Sequence, residues 1–358
     1  MFKKTKALCD SFLEMGIPGF DMIVYKDGQE VFRYFGGYSD REKQIPTNGN
    51  ERYYIYSCTK PITVTCAMQL YEQGKFSLDD ALSDHIPEFR NMKVQTEDGL
   101  VDAKEPIRIR NLFTMTSGFG TNRKALLANY PDPSLQESLR IFAQSPLLFH
   151  PGQRYQYGIS HDILGGLIEI WSGQSFQDYV KAHIFDPLGM KDSTMHLPAE
   201  KLHTVAALYE YNKAEGTINR LPFSEHPAGK KYVGGGFSCI STVKDYILFC
   251  EALRTGERLL KRETIDFMTQ IHLTPEQQLT YGKGVGTHSY GLGMRVPKPG
   301  SGRYDFGWGG MGGAFMAVDI PHGVTTFYAQ HVKNPPNNSL KGRTYTYALE
   351  DMGLTEVV

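Results

Sequence analysis

Strand-like and helix-like patterns are separated along this chain of 358 residues, and that separation limits the folds it can adopt. Alternating segments at 20–25 and 31–35 flank an Asp-Gly turn at 27–28, which predicts a β-hairpin. Helical patterns fill the middle of the chain. Strand patterns return near the C-terminus, at 290–296, 303–308, 313–319 and 325–330. Because distant strands bury their apolar faces most simply together, we predict one antiparallel sheet formed by N- and C-terminal strands.

The fold class that follows is α+β, with the antiparallel sheet flanked by helices and joined to a helical lobe. We predict a single domain over residues 1–358. Its α/β lobe comprises about 1–80 and 235–358, and its helical lobe about 81–234. The cleft between the two lobes is the natural place for an active site. Helices are predicted at 3–15, 58–73, 160–172, 175–184, 242–253 and 339–351.

The helix predicted at 58–73 also limits the chemistry. Apolar residues occupy most of its circumference, which indicates a helix buried nearly all round. Pro61 fits only the first helical turn, because proline lacks the N–H that later turns need. The helix must therefore begin close to Ser57.

Ser57 and Lys60 form a Ser-x-x-Lys motif at this helix start. A serine hydroxyl is a weak nucleophile at neutral pH and needs a nearby base, and a spacing of three residues places Lys60 on the same helix face. Free backbone N–H groups at a helix start can also stabilise an oxyanion. The alternative interpretation is a helix cap beside a surface lysine.

Composition and charge argue against several classes of protein. Hydrophobic residues make up 41% of the chain and charged residues 22%, which is typical of a globular protein. The net charge of −1 and the lack of a basic block predict binding neither to nucleic acid nor to a membrane surface. No signal-peptide pattern follows the N-terminal lysines, which favours a cytoplasmic protein unless a leader has been removed.

The five cysteines include no Cys-x-x-Cys pair, so buried free thiols are expected rather than disulfides or a zinc site. Cys58 lies beside Ser57, and a redox-sensitive thiol is the alternative for that position. The histidines show no metal-ligand spacing. We therefore predict no metal and no cofactor.

Residues 54–63, Tyr-Ile-Tyr-Ser-Cys-Thr-Lys-Pro-Ile-Thr, resemble the nucleophile segment of the serine β-lactamase and penicillin-binding-protein superfamily. The likeness covers nearly the whole chain, from about 17 to about 330. It is greatest to the class C-like branch and, within it, to the family VIII carboxylesterases. Further similar segments lie at 74–80, 107–112, 114–118 and 234–238.

A second motif is centred on Tyr157. β-Lactamases of this branch have Tyr-x-Asn, whereas family VIII carboxylesterases lack the Asn and carry Asp-x-Leu-Gly five residues after the Tyr. Here Ile159 takes the Asn position and Asp162 begins the Asp-x-Leu-Gly run. The resemblance implies that Ser57 is the nucleophile and that Lys60 and Tyr157 handle its proton, with the Lys60 charge lowering the pKa of the phenol. A core tyrosine with a satisfied hydroxyl is the alternative.

Two residues beside Tyr157 are expected to contribute to substrate binding. His161 lies one turn along from Tyr157 and is a candidate for lining the pocket, although a lone histidine is more often structural. Ile159 is the other candidate. Asp162 is expected to cap or brace its helix rather than to catalyse.

A third motif is Gly-Trp-Gly-Gly-Met at 307–311. β-Lactamases and DD-peptidases usually have a cation and a hydroxyl here, which help to bind the substrate carboxylate, whereas related esterases and acyltransferases often have Trp-Gly-Gly. The resemblance implies an oxyanion hole formed by the backbone N–H groups of Ser57 and Met311. It also implies substrate contact at Trp308, Gly309 and Gly310, with pure packing as the alternative for Trp308.

These departures from the β-lactamase pattern remove the usual recognition of a substrate carboxylate and keep the acylation machinery. The resemblance therefore implies a serine hydrolase that acts on carboxylic esters through a Ser57 acyl-enzyme, with a small-molecule ester or acyl compound as substrate. Three alternatives stay open: an acyltransferase with an alcohol acceptor, a β-lactamase or DD-peptidase, and a non-enzymatic binding or scaffold protein on the same fold. The oligomeric state is not predicted.

Overall fold

A computed structural model describes residues 1–222, 231–256, 258–282 and 286–354. The predicted lobes also contain 223–230, 257, 283–285 and 355–358, which lie outside the described residues. None of the described helices has the length and apolar character needed to cross a membrane. The division into two lobes stays a prediction.

The helices are α1 (Lys3–Glu14), α2 (Thr59–Glu72), α3 (Leu82–His85), α4 (Ile109–Phe113), α5 (Arg123–Leu126), α6 (Leu135–Ala143), α7 (Ser160–Ser172), α8 (Phe176–Val180), α9 (Asp186–Leu188), α10 (Val243–Thr255), α11 (Arg262–Met268), α12 (Pro275–Gln278) and α13 (Arg343–Asp351). Short 3-10 turns occupy Tyr56–Cys58, Pro87–Phe89 and Ala199–Thr204, and a π turn occupies Lys181–Phe185.

The strands are β1 (Gly19–Lys26), β2 (Gln29–Asp40), β3 (Ile45–Pro46), β4 (Tyr53–Tyr54), β5 (Lys93–Thr96), β6 (Gly99–Asp102), β7 (Tyr209–Asn212), β8 (Thr217–Arg220), β9 (Ile240–Ser241), β10 (His288–Tyr290), β11 (Arg295–Pro297), β12 (Asp305–Phe306), β13 (Phe315–Asp319), β14 (Val324–Gln330) and β15 (Val332–Lys333).

The main sheet joins the two ends of the chain. Its six strands follow the order β12-β13-β14-β1-β2-β3, and every neighbouring pair is antiparallel. The central pair is β1 with β14, in a register that places Phe20 opposite Gln330 and Lys26 opposite Val324. The predicted α+β fold with a sheet built from both ends is therefore confirmed.

Helices cover both faces of this sheet. Alternate side chains of β1 point to opposite faces, so Met22 and Val24 pack in one apolar cluster with residues of α1 and α13, whereas Ile23 lies in another with residues of α2 and α10. Each face thus buries its own apolar surface.

The predicted strand at 290–296 is wrong, because the chain reverses within it. Residues 288–290 and 295–297 form the two strands of a separate hairpin, β10 with β11. Gly293, in the connection, has φ of 79°, a left-handed conformation that glycine adopts without strain. The apolar pattern hid this turn, since Leu292 and Met294 on either side of Gly293 are both buried. The strand predicted at 303–308 also shortens to 305–306.

The predicted all-round burial of the helix after Ser57 is confirmed. In α2 every residue from Thr59 to Met68 is buried. The Tyr246 hydroxyl of α10 donates to the Cys58 carbonyl at 2.6 Å, just before α2 begins. Because α2 is held on all sides, the residues at its N-terminus have a fixed position, as a reactive centre needs.

Asp351, the last residue of α13, caps the start of α1. Its carboxylate accepts hydrogen bonds from the Lys4 and Thr5 N–H groups at 3.1 and 2.8 Å and from the Thr5 hydroxyl at 2.8 Å. Burial by itself raises the pKa of Asp351. The hydrogen bonds from Thr5 and Lys4 outweigh burial, so the pKa lies below its ordinary value. The stabilisation should therefore be complete above an unfolded pKa of about 3.9 and be lost as pH falls through the lower folded pKa.

We expect Asp351→Ala to lower the free energy of unfolding by about 1 kcal/mol at neutral pH, since it removes the cap of α1. Urea titration measures this change. The matched control is Glu350→Gln, which breaks an exposed ion pair with Lys4 and should cost clearly less, because solvent screens such a pair. Equal losses for the two variants would contradict the capping role.

Candidate active site

Ser57 lies in the 3-10 turn between β4 and α2, with its side chain partly exposed. Tyr56 before it has φ of 47°, in the left-handed region that a bulky residue rarely adopts. The strand β4 that leads into this turn is fixed by pairing with β9. The surrounding structure thus imposes an uncommon backbone conformation next to the predicted nucleophile.

Lys60 lies beneath Ser57, and its side chain is almost fully buried. Its ammonium has three N–H donors. One donates to Ser57 Oγ at 3.2 Å and one to the Gly236 carbonyl at 2.7 Å. Its third neighbour is Tyr157, whose ring centre lies 4.6 Å from Lys60 Nζ. The buried charge is therefore surrounded by acceptors, as a charge removed from water requires.

Tyr157 lies in the loop before α7, with its hydroxyl 2.5 Å from Ser57 Oγ. Lys60 Nζ is 4.6 Å from the centre of its ring. Burial by itself raises the pKa of Tyr157. The Lys60 charge and hydrogen-bonding interactions with Lys60, Ser57 and Trp308 outweigh burial, so that the pKa lies below its ordinary value.

The structure thus brings together Ser57, Lys60 and Tyr157, which are 100 residues apart in sequence at their widest. A hydroxyl within hydrogen-bond distance of both an ammonium and a phenol with a lowered pKa can lose its proton to the phenol. The arrangement is suited to nucleophilic catalysis, and the individual roles of the three residues stay predictions.

The segment at 308–313 packs directly against the turn that carries Ser57. A Cβ atom added to Gly310 would lie 2.2 Å from the Ile55 carbonyl oxygen, and one added to Gly312 would lie 2.9 Å from the Tyr56 ring. Only glycine permits this approach. Met311, between the two glycines, is 47% exposed.

The backbone N–H groups of Ser57 and Met311 are the predicted oxyanion donors, and this role stays a prediction. The 3-10 turn uses the N–H groups of Cys58 and Thr59 for its own bonds. Among the described residues, neither Ser57 nor Met311 donates its N–H to another backbone group. Two N–H donors beside a nucleophile are the components of an oxyanion hole.

Trp308 is buried and contacts Tyr157 rather than forming an open wall. The two rings stack with centres 5.9 Å apart, and Tyr290 packs edge-on against the indole at 5.2 Å. Trp308 therefore holds the Tyr157 ring from one side.

Gly309, next in the chain, would accept a Cβ atom at an ordinary 3.4 Å from the Ala314 carbonyl.

Ile159 and His161 lie on the far side of Tyr157, inside the protein. Their side chains are 2% and 0% exposed, so a substrate has no access to either in this conformation. Burial, together with the nearby Lys60 charge, holds the pKa of His161 well below its ordinary value. A neutral core histidine fits this position.

All five cysteines are buried and free. The Cys58 thiol lies 3.7 Å from the Trp308 carbonyl. Burial raises the pKa of Cys58 to about 12, against smaller opposing contributions from nearby cations. Since the thiolate is the reactive form, the packing interpretation is favoured over a redox-sensitive thiol.

Sequence reasoning missed Gly236 as a partner of Lys60. The contact uses a backbone carbonyl, which any residue has, so the side chain carries no signal of it. The run of three glycines at 234–236 was the available indication, because repeated glycine suggests a close backbone approach.

Within the described ranges, no group of three or more His, Cys, Asp or Glu residues is placed to hold a metal ion.

Residues 6–349 match the family model described as Beta-lactamase. The chain belongs to this family. It is 32% identical to Esterase EstB of Burkholderia gladioli over 192 residues, which are 50% of this chain and 47% of EstB. The aligned segment thus spans about half the length of that relative.

Two solved structures show the same fold. EstCE1, described as a hydrolase with promiscuous acyltransferase activity, has a TM-score of 0.82 at 23% identity, with 96% of this chain and 98% of that chain covered. Simvastatin synthase (LovD) of Aspergillus terreus has a TM-score of 0.82 at 21% identity, with 98% of each chain covered. The chain thus has the β-lactamase/transpeptidase-like fold.

We expect Lys60→Gln to shift the pH dependence of Ser57 acylation to higher pH. The deprotonated phenol is the form that accepts a proton, and loss of the Lys60 charge raises the pKa of Tyr157. Stopped-flow acylation rates measured from pH 5 to 11 locate the midpoint. Lys75→Gln, which removes an exposed lysine just beyond α2, is the control. An unshifted midpoint in Lys60→Gln would count against the coupling.

We expect Gly310→Ala to lower the acylation rate by about 10²-fold, the effect of losing one oxyanion donor. The added methyl would collide with the Ile55 carbonyl and move the Met311 N–H away from Ser57. In the control Gly342→Ala the new methyl meets only the Phe315 ring, at 3.7 Å. A full rate in Gly310→Ala would show that this approach is not needed.

Proposed function

We propose that this protein hydrolyses carboxylic esters of small molecules through an acyl-enzyme on Ser57. The observation that carries the proposal is the contact of the Ser57 hydroxyl with both Lys60 and Tyr157, at 3.2 and 2.5 Å. A non-enzymatic scaffold has no need of a buried lysine and a phenol of lowered pKa around one partly exposed serine.

In the acylation step, deprotonated Tyr157 accepts the Ser57 proton while Ser57 Oγ attacks the ester carbonyl carbon. The N–H groups of Ser57 and Met311 stabilise the oxyanion of the tetrahedral intermediate. When the intermediate collapses, the C–O bond to the alcohol breaks and the alcohol leaves with the proton from Tyr157. Lys60 stabilises the phenolate before and after the transfer.

In the deacylation step, a water molecule takes the place of the alcohol. Tyr157 accepts a proton from the water, the hydroxide attacks the acyl carbon, and Ser57 leaves as the alkoxide that recovers the proton. The acid is released and the free enzyme is restored. An alcohol in place of water would give acyl transfer from the same intermediate.

Ester substrates are favoured over β-lactams by the residues around this centre. The positions that carry an amide and a cation in β-lactamases hold Ile159 and Trp308, both buried and neither of them charged. A substrate carboxylate therefore gains no charge-assisted hydrogen bond from them. The relative EstB is called an esterase, which agrees with this preference.

The test is a comparison of p-nitrophenyl butyrate and nitrocefin as substrates. We expect wild-type kcat/KM for the ester to exceed that for nitrocefin, and Ser57→Ala to abolish ester hydrolysis. Lys60→Ala and Tyr157→Phe should each lower the acylation rate by at least about 10²-fold, as expected for a lost acid–base partner. Ser77→Ala, which alters an exposed serine, is the matched control.

Each alternative function has its own outcome. Faster nitrocefin turnover would favour a β-lactamase. Retention of every measured activity in Ser57→Ala would contradict the acyl-enzyme on Ser57 and favour a binding or scaffold role. Repeating the assay with an added alcohol separates hydrolysis from acyl transfer. A mixed ester as main product, in place of the free acid, would identify the acyltransferase.

A further inference from the structure

Side chains of two helices bind the backbone at Gly235 and Gly236, beside the catalytic centre. The peptide group between Gly235 and Gly236 has both of its polar atoms bound to side chains. Its carbonyl accepts a hydrogen bond from Thr63 Oγ1 of α2 at 2.6 Å, and its N–H donates to Asp162 Oδ1 of α7 at 3.1 Å. The Gly236 carbonyl, one peptide further on, accepts from Lys60 at 2.7 Å.

The glycines allow this segment to lie against both helices. A Cβ atom on Gly235 would lie 2.2 Å from the His161 carbonyl oxygen. One on Gly236 would lie 3.3 Å from the Asp162 carboxylate oxygens and also 3.3 Å from Lys60 Nζ. Glycine backbones have more rotational freedom than others, so without outside contacts the direction of the Gly236 carbonyl is poorly fixed.

We propose that Asp162 is a positioning residue for catalysis, which acts through the Gly235–Gly236 peptide to aim the Gly236 carbonyl at Lys60. The inference rests on the proposed function of Ser57 and Lys60. Asp162 is buried, and its carboxylate accepts hydrogen bonds from the Gly236 N–H and from Arg123; among the described residues, none comes from Ser57, Lys60 or Tyr157. Its effect is therefore on the geometry of the Lys60 ammonium.

Thr63 binds the other polar atom of the same peptide, the Gly235 carbonyl oxygen. It lies one turn after Lys60 in α2, so the same helix supplies both the ammonium and one of the two contacts that hold its acceptor. Asp162 supplies the other contact from α7. Loss of either contact lets the peptide rotate and moves the Gly236 carbonyl, with the larger effect expected for Asp162 because its bond is charge-assisted.

Arg123 of α5 is a separate neighbour of Asp162. Its Nη1 atom lies 3.4 Å from Asp162 Oδ2, the carboxylate oxygen not used by Gly236, and its guanidinium lies 3.8 Å from the centre of the Phe237 ring. An alternative explanation of any Asp162 defect is thus loss of this ion pair. The variant Arg123→Gln isolates that effect.

The test measures single-turnover acylation at saturating ester in a set of variants. We expect Asp162→Ala to lower kcat by about 10- to 10²-fold with KM changed less than about threefold, since misplacement of a catalytic group acts on the reaction rather than on binding. Asp162→Asn keeps an oxygen acceptor for the Gly236 N–H and should recover most of kcat.

The matched pair on α2 tests the other side of the peptide. Thr63→Val should lower kcat several-fold, whereas Thr65→Val should not, because the Thr65 hydroxyl donates to the Pro61 carbonyl of its own helix. Since Asp162→Ala and Thr63→Val release the same peptide, their double variant should lose less than the product of the two separate losses. Thermal midpoints confirm that each variant is folded.

Several outcomes would overturn the proposal. Asp162→Ala with the wild-type kcat, Asp162→Asn as impaired as Asp162→Ala, or Arg123→Gln reproducing the full loss would each do so. A crystal structure of Asp162→Ala gives a readout independent of activity, in which the Gly236 carbonyl should no longer contact Lys60. If wild type fails to acylate, the proposed function fails, and an unmoved carbonyl in that crystal structure would separately refute the positioning role.

Discussion

The buried ammonium of Lys60 is the charge around which this protein is organised. Removal of an ammonium from water is costly unless all of its donors are satisfied. Here the three partners come from distant parts of the chain: Ser57 at the start of α2, Tyr157 before α7, and Gly236 in the segment before β9. The contacts that satisfy this one charge therefore also fix how these three segments of the chain pack together.

The rest of the architecture keeps those partners in position. The main sheet joins both ends of the chain, and α2 is buried from Thr59 to Met68, so the serine turn at its N-terminus is held in place. Gly310 and Gly312 bring the Met311 segment against the same turn. Trp308 and Lys60 hold Tyr157 from two directions and keep the pKa of its phenol below the ordinary value, although burial alone raises it.

The side-chain patterns predicted much of this arrangement. The sheet built from both ends and the buried helix after Ser57 follow from apolar periodicity and from the position of Pro61. Backbone contacts were harder to predict. The left-handed conformation of Tyr56 depends on tertiary contacts that leave no mark on residue type. At Gly293 and Gly236 the glycines indicate a turn or a close approach, but not which contact is made. Likewise, the position of His161 one turn from Tyr157 does not indicate whether its side chain faces the pocket or the core, and in the structure it is fully buried.

The most direct test of the account is whether Ser57 becomes covalently modified. Wild type and Ser57→Ala are incubated with a serine-reactive fluorophosphonate, and the intact mass of each is measured. The account predicts one adduct on wild type and none on Ser57→Ala, because only an activated serine reacts. An adduct of equal extent on Ser57→Ala, or none on a folded wild-type protein, would contradict the assignment of Ser57 as the nucleophile.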